Sequence, residues 1–223
     1  MAKYENIRAL AKKQLQTVTE SSDRWKEFLR TAAIAYNYSF PNQLLIYAQN
    51  PTATAVADMD YWNKNAGRRV KRGAHGTAVF DTRANSPRLR YLFDISDTIP
   101  IHEISEALPW AVTDQNWKPV WDKIIVDNYA DSIQSALLMI STSYVAQRSA
   151  MFTTALEKAV DGSSLQWAKP NEQRRLFLQI VTQSCLYMAA LRCGVDTARL
   201  DLSALESVGQ FDTNRIALCL GSA

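Results

Sequence analysis

No stretch of this 223-residue chain approaches the roughly 18 consecutive apolar residues of a membrane-spanning helix, so no membrane partner is expected. Its first residues, Met1-Ala2-Lys3-Tyr4-Glu5, are polar and lack the apolar region of a secretory signal, which predicts a soluble, cytoplasmic protein. The three cysteines, Cys185, Cys193 and Cys219, form no CxxC pair, and their odd number and loose spacing exclude a disulfide framework. They read as buried thiols. Histidine is rarer still, with His75 and His102 alone. His102-Glu103-Ile104-Ser105-Glu106 opens like the HExxH of a zinc protease, but Glu106 stands where the second imidazole must be. Phosphate-binding GxxxxGK[ST], dinucleotide-binding GxGxxG and nucleophile-bearing GxSxG patterns are missing too. The expectation is a protein without enzymatic activity, metal or cofactor.

What is present is unevenly distributed. Hydrophobic residues make up 47% of the chain and charged ones 21%, which supports a packed core and argues against bulk disorder. The net charge of +3 conceals a strong asymmetry. Residues 61–93 hold eight basic side chains, Lys64, Arg68, Arg69, Lys71, Arg72, Arg83, Arg88 and Arg90, against a single acid, Asp81. That segment carries +7 and the remainder −4. A mildly acidic body with one basic segment suggests a polyanionic partner.

Hydrophobic periodicity predicts helices over residues 3–20 and 22–38, the second capped by Ser21, Ser22 or Asp23. Pro41 suits a first helical position before a helix over 42–49, which Asn50-Pro51 stops. A short helix over 58–65 carries Tyr61 and Trp62. Residues 67–76 read as a basic loop between turns. Strands over 77–80 and 88–93, joined by a polar connection, predict a β-hairpin. In its second strand Arg88, Arg90 and Leu92 alternate with Leu89, Tyr91 and Phe93, so a mostly cationic face is expected opposite an apolar one. Residues 103–125, with three tryptophans, cannot be placed. Beyond them helices are expected over 129–160, 171–193 (stopped by Gly194), 201–208 and 213–220. The predicted class is α+β: helices with a small antiparallel hairpin or sheet in the N-terminal half, then an all-helical C-terminal half. The expected domains are 1–100 and 101–223.

Gly67-Arg68-Arg69-Val70-Lys71-Arg72-Gly73 packs four cations into five positions between two glycines. Aromatics flank it, Tyr61 and Trp62 before and Phe80 and Tyr91 after. Cations neutralise phosphates, and stacking a base on a ring is worth roughly 1–3 kcal/mol. The candidate nucleic-acid-binding set is therefore Lys64, Arg68, Arg69, Lys71, Arg72, Arg88 and Arg90 for phosphates and Tyr61, Trp62 and Tyr91 for bases. Asn42 and Gln49 are candidates for polar contacts. A charged loop is also compatible with a solvated turn, lone aromatics with a core, and the two amides with helix-end satisfaction.

The order Phe40-x-Asn42, Leu45-x-Tyr47-x-Gln49-x-Pro51, Trp62, Gly67-Arg68-x-Val70-Lys71-x-Gly73 and Phe93-Asp94-Ile95-Ser96-Asp97-Thr98 resembles the N-terminal domain of ArdC-like antirestriction proteins. Related domains open large proteins of conjugative elements in Gram-positive bacteria. The resemblance covers about residues 20–98. It implies single-stranded DNA binding in a mobile genetic element that shields incoming DNA from host defence. Relatives usually carry an acidic residue where Ala74-His75-Gly76 stands here. The alternative expectation is an anti-CRISPR-like inhibitor that binds a host defence nuclease, or its guide-RNA complex, directly.

Overall fold

The computed structural model describes residues 2–82, 86–101, 112–113 and 115–221. Its helices are α1 (Ala2–Thr17), α2 (Ser22–Ile34), α3 (Phe40–Gln49), α4 (Met59–Lys64), α5 (Trp117–Asp127), α6 (Ile133–Arg148), α7 (Thr153–Val160), α8 (Pro170–Arg192) and α9 (Thr213–Gly221). The strands are β1 (Val56–Asp58), β2 (Arg68–Val70), β3 (Thr77–Phe80), β4 (Leu89–Asp94) and β5 (Thr98–Pro100). The class is α+β as expected, with every described strand in the N-terminal half and a helical C-terminal half.

Two compact units divide the chain, and they do not follow a single cut at residue 100. Met1–Gln14 belongs with Ile34–Trp110, and Leu15–Ala33 belongs with Ala111–Ala223. The segment holding most of α2 thus joins the helical unit. The reason lies in its side chains: Trp25 donates its indole N–H to the Ser184 hydroxyl at 2.9 Å, and Arg30 donates to the Tyr187 hydroxyl at 3.0 Å. From α8, Arg192 donates to the Ala33 carbonyl at 3.0 Å.

The helical unit is built on α8, whose buried Phe177, Ile180, Val181, Leu186 and Tyr187 recur at helical spacing. Ile133 and Leu137 of α6 join Leu186 and Ala190 in one apolar cluster, flanked by Trp121, Ile124 and Ile125 of α5. The single helix expected over 129–160 is in fact α6 and α7, separated by a 3₁₀ turn over Ser149–Phe152. Tyr129 is left-handed at φ 52°, so no helix begins there, and the Ser132 hydroxyl caps α6 at Ser135. The 3₁₀ turn changes the helical phase and ends on buried Phe152, 5.6 Å from the Phe177 ring. Residues 203–210 likewise form 3₁₀ turns rather than an α-helix.

In the N-terminal unit β4 is central, with antiparallel β1 on one side and β3 on the other. The expected hairpin is β3–β4, registered Thr77↔Leu92 through Phe80↔Leu89. Leu92 and Val79 pack with Leu45 and Ile46 of α3, and against Ile7 and Leu10 of α1. The opposite face of β4 places Phe93 against Trp62, Ala55 and Val70. Gly76 lies over this face: a Cβ there would come within 2.9 Å of the Tyr91 Cβ, so the crossing excludes any side chain. The basic segment is no loop throughout, because β2 pairs with β5, registered Arg68↔Pro100, Arg69↔Ile99 and Val70↔Thr98.

Asp94 ends β4 and holds these pieces together. Its carboxylate, 4% exposed, accepts from the backbone N–H of Thr54 (2.7 Å), Ala55 (3.0 Å) and Ser96 (3.0 Å). Asp97 reciprocates by accepting from the Asp94 N–H, which closes a capping box around the 3₁₀ turn leading into β5. Burial pushes the Asp94 carboxyl pKa up, but bonds from the Ala55, Ser96 and Thr54 N–H groups and the Ser96 side chain outweigh it and hold the pKa below its usual value.

Asp94→Ala is expected to destabilise the protein by about 3 kcal/mol, since each buried donor left without an acceptor costs roughly 1–3 kcal/mol; urea unfolding measures it. A carboxyl whose folded pKa is depressed stabilises fully above its unfolded pKa of about 3.9 and loses that contribution as pH falls through the folded value. Asp94→Asn, which cannot titrate, is therefore expected to show a flatter decline of stability below about pH 4 than the parent.

Candidate nucleic-acid interface

The twelve residues singled out in the sequence separate into two groups. Asn42, Gln49, Trp62 and Arg90 are engaged within the fold. Asn42 is 1% exposed, donating to the Phe80 carbonyl at 3.0 Å and accepting from the Phe80 N–H at 2.9 Å. Gln49, two helical turns on, accepts from the Ala78 N–H at 3.0 Å and donates to the Ala78 carbonyl at 2.9 Å. Ladder bonding alternates along a strand, and Asp81 N–H reaches the Arg88 carbonyl across the hairpin. The backbone groups of Ala78 and Phe80 therefore point away from β4, at a sheet edge where no further strand pairs among the described residues. The two amides of α3 fill that edge, so neither Asn42 nor Gln49 is available for the polar contacts expected of them.

Trp62 is 2% exposed, and its indole N–H donates to the Phe93 carbonyl at 2.9 Å. No base can stack on it. Arg90 shares a face of β4 with buried Leu92, so the cationic outer face expected for this strand is not formed there. Its guanidinium lies 3.7 Å from the Asp58 carboxylate and over the Tyr38 ring, 5.2 Å from the centroid. Asp58 also caps α4 by accepting from the Tyr61 N–H.

The basic ribbon shows a further division by strand alternation. Arg68 faces inward, donating from Nε to the Thr98 hydroxyl at 2.7 Å. Lys71 follows β2 and donates from Nζ to the Ser96 carbonyl at 2.7 Å, while remaining exposed. Arg69, between them, faces outward beside Ile99. Arg72 is exposed in the turn made by left-handed Gly73 at φ 83°. Arg88 is exposed just before β4, and Lys64 is exposed with Asp60 at 3.4 Å. Among the described residues the side chains of Arg69, Arg72 and Arg88 have no ion-pair or hydrogen-bond partner; Arg83, counted in the basic segment, lies outside the described residues, as do His102, Glu103 and Glu106.

Two of the three aromatics remain accessible. Tyr61 is 51% exposed, braced edge-on against Trp62 with ring centroids 5.8 Å apart. Tyr91 is 37% exposed, with the Lys3 ammonium 4.9 Å from its ring centroid. Lys3 is a cation that sequence reasoning missed, because it lies far from the basic segment in the chain and only the fold brings it to Tyr91. His75 is exposed in the same region of sequence. No metal-ligating cluster occurs among the described residues.

No family model, curated protein or solved structure matches the chain.

Asn42→Ala leaves the N–H and carbonyl of Phe80 unpartnered at a covered edge and is expected to destabilise the protein by about 2–4 kcal/mol in urea unfolding. The folded fraction should bind oligonucleotides as the parent does, which separates an edge clamp from a ligand contact.

Proposed function

We propose that the N-terminal unit binds single-stranded nucleic acid through the outward cations of the β2–β5 ribbon and its surroundings, and that the protein is not an enzyme. The observation that carries this reading is electrostatic. A segment with a net charge of +7 keeps Arg69, Arg72 and Arg88 exposed and unpaired among the described residues, although the rest of the chain has acids enough to pair them. Exposed cations without acidic partners are neutralised by a polyanion, which releases its own counterions on binding. Lys64 joins the set, since its surface contact with Asp60 is worth little. Tyr61 and Tyr91 offer ring faces to unstacked bases, which a duplex does not supply.

The resemblance of about residues 20–98 to ArdC-like domains gives this activity a setting: a bacterial mobile genetic element, and protection of incoming DNA from host defence. Since the same chemistry would suit the nucleic-acid channel of a host nuclease, nuclease-treated pull-downs distinguish an effector-binding inhibitor from a DNA-binding protein.

Replacing Lys64, Arg69, Arg72 and Arg88 together by Ala is expected to weaken single-strand binding by about tenfold or more at moderate salt. It should also lower the slope of log affinity against log salt by roughly 2–3, at about 0.7 for each phosphate left without its cation. Arg68 and Lys71 are kept intact because they hold the turn before β5. Fluorescence anisotropy at several salt concentrations measures both, and unchanged affinity rejects the reading.

A further inference from the structure

The outer face of the β2–β5 ribbon carries more than charge. The register pairs Arg69 with Ile99, and Ile101 continues the ladder by donating its N–H to the Gly67 carbonyl at 2.9 Å. Alternation puts Ile99 and Ile101 on the same side as Arg69. Ile99 is 47% exposed and Ile101 41% exposed, whereas Thr98 on the opposite side is 4% exposed. Val70, opposite Thr98, packs with the cluster around Trp62 and Phe93. The ribbon is thus packed on its inner side at Val70 and Thr98, with Pro100 exposed at the end of β5, and on its outer side two isoleucines stand beside Arg69.

We infer that Ile99 and Ile101 are base-contacting residues, and that, with Arg69 on the same face and Arg72 in the turn that follows β2, they make this ribbon the surface that tells single strands from duplexes. The inference rests on the nucleic-acid-binding reading above and assigns it a specificity element. Its physical basis is a difference in what the two forms of nucleic acid expose. A duplex offers phosphates to Arg69 and Arg72 but keeps its base faces stacked inside, so exposed isoleucines gain nothing from it. A single strand presents phosphates and apolar base faces together, and a surface with cations and aliphatic side chains side by side satisfies both. A partner with charge alone would leave the isoleucines in water. An apolar partner without negative charge would strip water from Arg69 with no counter-charge in return. Charge complementarity and exposed apolar area thus select the same occupant. No spacing or composition signal marks Ile99 and Ile101 in the sequence; only the pairing of β5 with β2 places them beside Arg69.

The test compares the full chain with Ile99→Ser/Ile101→Ser and Arg69→Ala/Arg72→Ala variants, against oligothymidylate, a duplex of equal length and heparin, by anisotropy or competition. Circular dichroism and thermal unfolding confirm that each variant is folded. The expected result is a loss of about tenfold in oligothymidylate affinity for the isoleucine variant, with duplex and heparin affinity within about twofold of the parent. The arginine variant should lose affinity for all of them. Equal losses on single strands, duplex and heparin by the isoleucine variant overturn the inference, since heparin has no bases. An isoleucine variant that binds single strands like the parent, beside an arginine variant that does not, also overturns it while leaving the cationic reading in place. If the arginine variant too binds like the parent, the reading and the inference both fall.

Discussion

The carboxylate of Asp94 sits where the chain entering β1, the end of β4 and the turn into β5 converge. A sheet this small cannot satisfy its backbone through strand pairing alone, because most of its peptide groups lie at an edge or a strand end. Asp94 collects the N–H groups of Thr54, Ala55 and Ser96, two segments about forty residues apart in sequence. An ionised carboxylate suits the task, since it offers several acceptor sites and no donor. Desolvating it is costly, and the converging N–H dipoles offset that cost. The position of β5, and with it the β2–β5 ribbon, depends on this cluster.

The same constraint explains why so many polar side chains of residues 40–98 are turned toward the backbone. Asn42 and Gln49 complete the edge of β3, Trp62 takes up the Phe93 carbonyl, and Arg68 and Lys71 tie the ribbon to the turn at Ser96 and Thr98. These are among the residues on which the expected resemblance to ArdC-like domains is built. The recognisable pattern is therefore largely a description of how a three-stranded sheet and a two-stranded ribbon are held closed. Binding, on this view, falls to side chains between the motif positions, where the scaffold makes no demand. Arg69 and Arg72 occupy the variable places of Gly67-Arg68-x-Val70-Lys71-x-Gly73.

Much of the architecture was legible because it rests on local signals. Helical periodicity marked α1 and α2, Pro41 and Asn50-Pro51 marked the bounds of α3, Gly194 marked the end of α8, and a polar connection between two apolar runs marked the β3–β4 hairpin. Strands β1, β2 and β5 were not legible, since each has three residues and too little length for alternation to register. β2 could not be told from a loop without its partner, about thirty residues away. The split of α6 from α7 was hidden for a similar reason: the turn over Ser149–Phe152 is set by where Phe152 meets Phe177, a tertiary contact. For the candidate interface, composition located the basic segment but could not rank its members. A buried tryptophan and a stacking tryptophan look alike in sequence.

Ranking the cations needed the register of one short ribbon. With Val70 turned toward Trp62, Arg69 must face away from it, and Arg68 must lie on the packed side beside Thr98. Had the ribbon slipped by a single residue, the assignments would exchange and Ile99 would take the place of Thr98 against the core. That slip is opposed by the Arg68–Thr98 hydrogen bond, by the Lys71 bonds to Ser96 and Asp97, and by the capping box that fixes where β5 begins. The side chains presented at Arg69 and Ile99 are thus determined by polar contacts elsewhere in the same ribbon. Weakening those contacts would alter the outer face without touching Arg69, Ile99 or Ile101.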